Sequence, residues 1–197
     1  MIINLALVAI IAVVAASLWW RGLWTGLVSF LAVLAAGTVA AAWYETVAAW
    51  LDHQVPDYHY FLDFIAFWAL FAATAGLMFA VTLGLRPAAA VRFDRLVERI
   101  GAVILAVMTG WMTAEIAAFS LHLAPLRTNA LPMPPEETML LGLGPERWWL
   151  WWTRGATANG PFAVPERRFD PDADFFARHA VRREILATEM TIFSPGR

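Results

Sequence analysis

Cysteine is absent from the 197-residue chain. Disulfides, thiol catalysis and cysteine-ligated zinc or iron–sulfur centres are therefore excluded. Lysine is absent as well, so all 14 basic side chains are arginine. Charge of either sign is scarce: Asp, Glu, Lys and Arg make up 15% of the chain, against about a quarter in an ordinary soluble domain. The formal net charge is only −2, and no nucleic-acid surface is expected. HExxH, GxSxG, the phosphate-binding loop and the glycine-rich dinucleotide fingerprint are all missing. The four histidines are scattered. No enzymatic activity and no cofactor are expected.

What fills the chain instead is apolar. Hydrophobic residues make up 60% of it, and the mean hydropathy is +0.61. Lipid is the solvent this composition suits. About 20 apolar residues cross a hydrocarbon core of about 30 Å, and four segments meet that length: residues 2–20, 22–43, 61–85 and about 100–123. The expected fold is all-α. A transmembrane bundle of four helices over 1–124 is followed by an extramembrane tail over 125–197.

Between the first two segments stands "SLWWRGLWTG". One unbroken helix over 2–43 would run to about 63 Å, twice the hydrocarbon core. The stretch is therefore a turn. Arg21 marks a membrane face, Gly22 permits the reversal, and Trp19, Trp20 and Trp24 suit the interface. A signal peptide is disfavoured, because no basic residue precedes Arg21. Short cytoplasmic loops retain positive charge. Arg21 lies in the first loop, and Arg86, Arg92, Arg95 and Arg99 lie in the third. The second loop holds Glu45, Asp52, Asp57 and Asp63 without an arginine. The acidic loop and both termini are thus expected outside the cytoplasm.

The tail opens on the proline-rich "APLRTNALPMPPEE" and continues into "RWWLWWTRG". Trp148, Trp149, Trp151 and Trp152 either lie at the membrane interface or pack into a small core of the tail's own. Turn signals at Asn159-Gly160-Pro161 follow. A C-terminal helix is expected over 171 to about 190, with Asp170 as N-cap, Pro171 at the first helical position, and Asp172 and Asp174 at the positive end of its dipole.

Glu115 is the one carboxylate deep within an apolar segment. Such acids usually face a bundle interior or an aqueous path. It is a candidate proton or cation relay, with Thr109 or Thr113 nearby and His122 at i+7; the alternative is a hydrogen-bonded Glu that joins helices. Asp63 could share that path, or could serve as an acid favoured at a helix start. Asp52, His53, Asp57, His59 and Asp63 are ligand types that suit a divalent metal. Their spacing matches no strong motif, and no metal is expected. "DPDAD" lacks the Gly and Glu of a calcium loop, with Phe175 and Val181 in their places. Small residues four apart (Gly22/Gly26, Gly76/Ala80/Gly84, Gly110/Ala114) allow close backbone approach in lipid, within this bundle or between copies. Arg92, Asp94, Arg95, Glu98 and Arg99 suit a short amphipathic helix on the inner leaflet. The partners expected are the lipid bilayer and a second copy or another membrane protein.

Over roughly its first 125 residues the chain resembles the colicin V production (CvpA) family of small bacterial inner-membrane proteins. The resemblance is carried by an uncharged first span followed by Ser17, Arg21 and Gly22, and by Ser29 and Gly37 in the second span. It continues in "FLDFIAFWALFAATAGLMFAVTLG" with its central Thr74. Asp94 and Arg95 before the Gly101- and Gly110-containing fourth span complete it. Asn4 and Gly26 stand where family members often carry acidic residues. The resemblance implies a role in toxin production or export and in envelope homeostasis. It assigns no activity to any residue.

Overall fold

Ala, Leu, Val and Ile dominate each apolar stretch, and no proline interrupts any of them, so each folds as a continuous helix. The computed structural model describes residues 2–55, 59–84, 94–126, 138–159 and 168–192, together with Ala163. Among these the regular elements are helices: α1 (Ile2–Leu18), α2 (Leu23–Asp52), α3 (His59–Gly84), α4 (Arg95–Leu123), α5 (Pro145–Asn159) and α6 (Phe175–Ile192). Three of them, α2, α3 and α4, are long and apolar enough to cross a membrane, while α1 is a shorter apolar helix of 17 residues.

The helices do not follow the expected spans residue for residue. With 30 residues, α2 reaches about 45 Å, well beyond a core of about 30 Å. Its last turns, from Tyr44 on at the end distal to Arg21, therefore exceed the length that crossing such a core requires. Arg95, Glu98 and Arg99 do not form a helix of their own. They are the first turns of α4, which Asp94 caps by accepting a hydrogen bond from the Leu96 N–H at 3.1 Å. Arg86 and Arg92 of the same expected inner-face segment lie outside the described residues, as does Asp57.

Packing sets the four long elements in a row: α3 on α2, α2 on α4, and α4 on α1. The row brings α1 against the last span, not against its sequence neighbour α2. Gly110 makes that approach possible, because a Cβ there would come within 2.7 Å of the Ile11 carbonyl oxygen. At the turn, Gly22 holds φ +88°, a conformation L side chains rarely adopt, and a Cβ there would press on the Glu98 carboxylate at 2.8 Å. Gly26 lies against Leu105. The Gly76/Ala80/Gly84 stripe behaves differently: at Gly76 an added Cβ would meet nothing within 4 Å among the described residues, so that residue marks no close approach to their helices.

The tail closes the distal end. Pro145 stands at the first position of α5, where its missing N–H costs nothing, and α5 lies across α4 and α2. The C-terminal helix starts at Phe175, four residues later than expected, because residues 170–173 form a tight turn with φ +48° at Asp170 and +58° at Ala173. Asp170 still serves the helix start: its Oδ1 accepts from the N–H groups of Asp174 and Phe175, both at 3.0 Å. The main core unites Tyr44 and Ala48 of α2, Phe67 of α3, Ile116 and Phe119 of α4, and Trp149, Phe169 and Phe175 of the tail. A second cluster joins Leu7 of α1 and Ala114 and Ala118 of α4 to Met139 and Leu140.

Candidate functional site

The distal end gathers most of the polar chemistry that the described residues show. It is built from the ends of α2, α3 and α4 distal to Arg21, with α6 packed on α4 and ion-paired to α2 and α3. Phe119 stacks on Phe175 with centroids 4.7 Å apart, and Tyr44, Phe67 and Phe169 surround them edge-on or tilted. Around this aromatic floor runs an ionic belt. The Asp170 carboxylate, with no side-chain exposure, receives the Arg154 guanidinium and lies 3.6 Å from Arg178. Arg178 donates to Asp174 at 2.7 Å and stands 3.6 Å from Glu45, whose carboxylate also accepts from the Tyr44 hydroxyl. Burial works against the Arg178 cation, but Glu45 and Asp174 outweigh it and hold its pKa above the ordinary value. Arg182 donates to Asp63, tying α6 to the start of α3.

Inside the belt lie two histidines. His179 is buried, with Nδ1 2.8 Å from the Phe175 carbonyl oxygen and its ring 4.3 Å from that of Phe175. Burial pulls its pKa below the usual 6.5. His122 of α4 is also buried, edge-on to Phe176 at 4.9 Å, and neither of its ring nitrogens has a hydrogen-bond partner among the described residues. Arg183 is buried in the same interface, and burial lowers its pKa as well.

The residues considered for a relay each engage a neighbour of their own. Glu115 is buried and accepts a hydrogen bond from the Trp111 indole N–H at 2.5 Å. Thr109 and Thr113 turn their hydroxyls back to the Leu105 and Thr109 carbonyls along their own helix, as threonines in helices commonly do. His122 faces Phe176, and Asp63 is held by Arg182. Each takes a different partner. The acidic loop is likewise dispersed: Asp52 ends α2 and His53 caps it, while Asp63 is engaged in its ion pair.

The tryptophan run divides by helical face. Trp149 is fully buried, and its ring meets Gly37 of α2 together with Ile116 of α4. Trp152 donates to the Thr38 hydroxyl at 3.1 Å. Trp148 and Trp151 face outward, 58% and 70% exposed. The run therefore packs against the long helices with one face and leaves two rings outside.

Several residues of the site carry no signal that spacing could reveal. Arg178 lies four residues after Asp174, a helical ion-pair spacing. Arg182 and Asp63, however, are 119 positions apart, and Asn4 accepts from the Leu140 N–H across 136. Glu146 is buried at the start of α5, where it accepts from the Met139 N–H at 3.1 Å; burial pushes its carboxyl above the usual range.

No curated protein and no solved structure matches the chain. The profile of the colicin V production protein family matches residues 3–153. That match runs beyond the first 125 residues, from α1 through Trp149 and Trp152 of α5, and ends short of α6. The apolar helices, the Arg21–Gly22 turn and the docking of α5 all fall within it, and the chain belongs to the colicin V production protein family, a membrane protein of a family whose role is accessory to colicin production.

Proposed function

We propose that the protein is a non-enzymatic accessory of a bacterial inner membrane that supports toxin production or export and envelope homeostasis. In this reading all four apolar helices cross the bilayer. Arg21 and the segment before α4 face the cytoplasm, and both termini and the α5–α6 roof lie outside it. The family match over residues 3–153 is the observation that carries it. The clustering of Arg21, Arg95 and Arg99 at one end, and of Glu45, Asp52 and Asp63 at the other, supports the orientation. The test is complementation of a deletion strain, scored for toxin release and for resistance to envelope stress. Rescue of neither phenotype by the intact chain would end the reading. A reporter fused after residue 197 should be active outside the cytoplasm, and activity inside would reverse the orientation.

Ion or proton conduction through Glu115 is the second reading. It is supported by one observation, a carboxylate buried in a membrane-crossing helix. The Glu115→Gln variant separates the two. Full complementation by that variant across a range of external pH would remove conduction. Loss of proton flux in liposomes on the same substitution would instead favour it over the accessory role.

A further inference from the structure

We propose that the open cavity beside α5 is a binding site for a phospholipid, with its phosphate on Arg147 and its chains along the neighbouring apolar rim. The cavity measures about 370 Å³ and is lined by Thr138, Gly142 and Gly144 on the turn side and by Arg147, Trp148 and Trp151 on the helix side. Its depth follows from the contacts behind it. Trp149, on the opposite face of α5, meets Gly37, which lies fourteen residues after the start of α2. At 1.5 Å per residue that is about 21 Å from the Arg21 turn, in the distal third of a hydrocarbon core of about 30 Å. Leu140 is bonded to Asn4 near the start of α1 and packs in one cluster with Leu7 and Ala118. The cavity therefore opens at the distal boundary between acyl chains and headgroups.

The rim is apolar and turned outward. Leu141 is 87% exposed and Leu143 58%, beside the two exposed tryptophan rings. The turn that presents them holds Leu140 and Leu141 at φ +53° and +56°, which L side chains rarely adopt. It is held there from behind, by Asn4 on the Leu140 N–H and by buried Glu146 on the Met139 N–H. The protein thus maintains a strained conformation whose visible product is two leucines facing away from its own core. Water is a poor neighbour for that surface, and acyl chains are a good one.

The charge selects the headgroup. Tryptophan rings alone would suit a quaternary ammonium, but Arg147 repels a cation and offers a planar fork that matches phosphate. Among the described residues it is the charged side chain lining the cavity, since the neighbouring Glu146 is buried and engaged by Met139. Indole rings and an arginine at the interface are the combination a membrane-boundary site uses.

The inference rests on the membrane-spanning reading and is tested apart from it. The full chain, purified in detergent, is titrated with phosphatidylglycerol, and bound lipid is counted by native mass spectrometry; inorganic phosphate is titrated in parallel. Phosphatidylglycerol should bind and inorganic phosphate should not. Arg147→Gln should weaken lipid binding about tenfold, the scale of one lost hydrogen bond to a charged group, and Trp151→Ala several-fold. Trp20→Ala, which removes a ring 73% exposed at the opposite end of the molecule, should leave it unchanged. Equal lipid binding by wild type, Arg147→Gln and Trp151→Ala overturns the site. Equal binding of inorganic phosphate overturns lipid as its occupant, and so does a cross-link from position 148 to a second copy. Loss of complementation with lipid binding intact would count against the proposed function alone.

Discussion

The two ends of the helix row are packed by different physics. Near Arg21 each contact uses a small residue to admit a neighbouring helix: Gly26 takes Leu105, Gly101 takes Leu23, and Ala32, Ala102 and Ala106 are buried. At the distal end the contacts are between large rings and charged groups, with Tyr44, Phe119 and Phe175 inside and Asp170, Arg154, Arg178 and Arg182 around them. Helix α3 shows the contrast along one element. Its first turns bury Leu62, Ala66 and Phe67, whereas Leu77, Met78, Phe79 and Val81 further along are exposed. Lipid offers apolar side chains no gain on burial, so helices there associate by close backbone approach. Water does offer that gain, so on the proposed topology the distal end can hold large rings together under a helix of its own.

The contrast is broken most severely at Asp170. Asp170→Ala removes a fully buried carboxylate that serves Arg154 and two backbone N–H groups. Deleting one partner of a buried pair costs about 3–5 kcal/mol. Limited proteolysis should show α6 cleaved much faster than in the wild type, while the helices near Arg21 stay protected. If both ends loosened together, the ends would not be separate units.

Next in size is Gly110→Ala. Its Cβ would meet the Ile11 backbone, which cannot swing aside, so a loss of about 1–3 kcal/mol is expected in unfolding by denaturing detergent. Gly76→Ala is the matched control: it meets nothing and should be neutral or stabilising by up to about 1 kcal/mol through helix propensity. A large loss at Gly76 would mean that this face packs on another molecule.

Asp63→Asn comes third. It releases Arg182 in a partly exposed pair, and about 1 kcal/mol of α6 docking should go with it. In a double-mutant cycle with Arg182→Gln, additive losses would show that the pair contributes nothing.

Acid should act more gently and only on the roof. Because burial lowers the pKa of His179, the undocked state takes up a proton before the docked one does. Docking is therefore at full strength above the usual imidazole value, about 6.5, and weakens as pH falls below it. The groups facing that imidazole are His122 of α4, Asp63 of α3 and Arg178 and Arg182 of α6, with Arg183 beside His122. In His179→Gln, proteolysis of α6 should lose part of its pH dependence. An unchanged profile would show that this histidine does not report on docking.

The all-helical class, the Arg21–Gly22 reversal and the family were legible from residue order, because lipid imposes a length and a polarity on each crossing segment and a charge rule on each short loop. The first helix shows where length alone gives out, since at 17 residues it is shorter than the three others. The tail was less legible. Nothing local to "RWWLWWTRG" says that Trp149 turns inward to Gly37 while Trp148 and Trp151 turn out, because that choice belongs to the surface it meets. The start of α6 differs for a related reason: Asp170 caps it from a turn five residues back, where Pro171 reads as a first helical position.

By itself, then, the sequence determined what is local: which segments are helical, which are apolar enough for lipid, where the chain reverses, and which family it joins. Tertiary structure decided everything that needs partners far apart in the chain. It set α1 beside α4, gave Asp63 to Arg182 and Asn4 to Leu140, and gave Glu115 to Trp111 and His122 to Phe176. Periodicity and composition act over a few turns of helix. The partner of a buried polar group is chosen by whichever surface closes over it, and that is known only once the helices have packed.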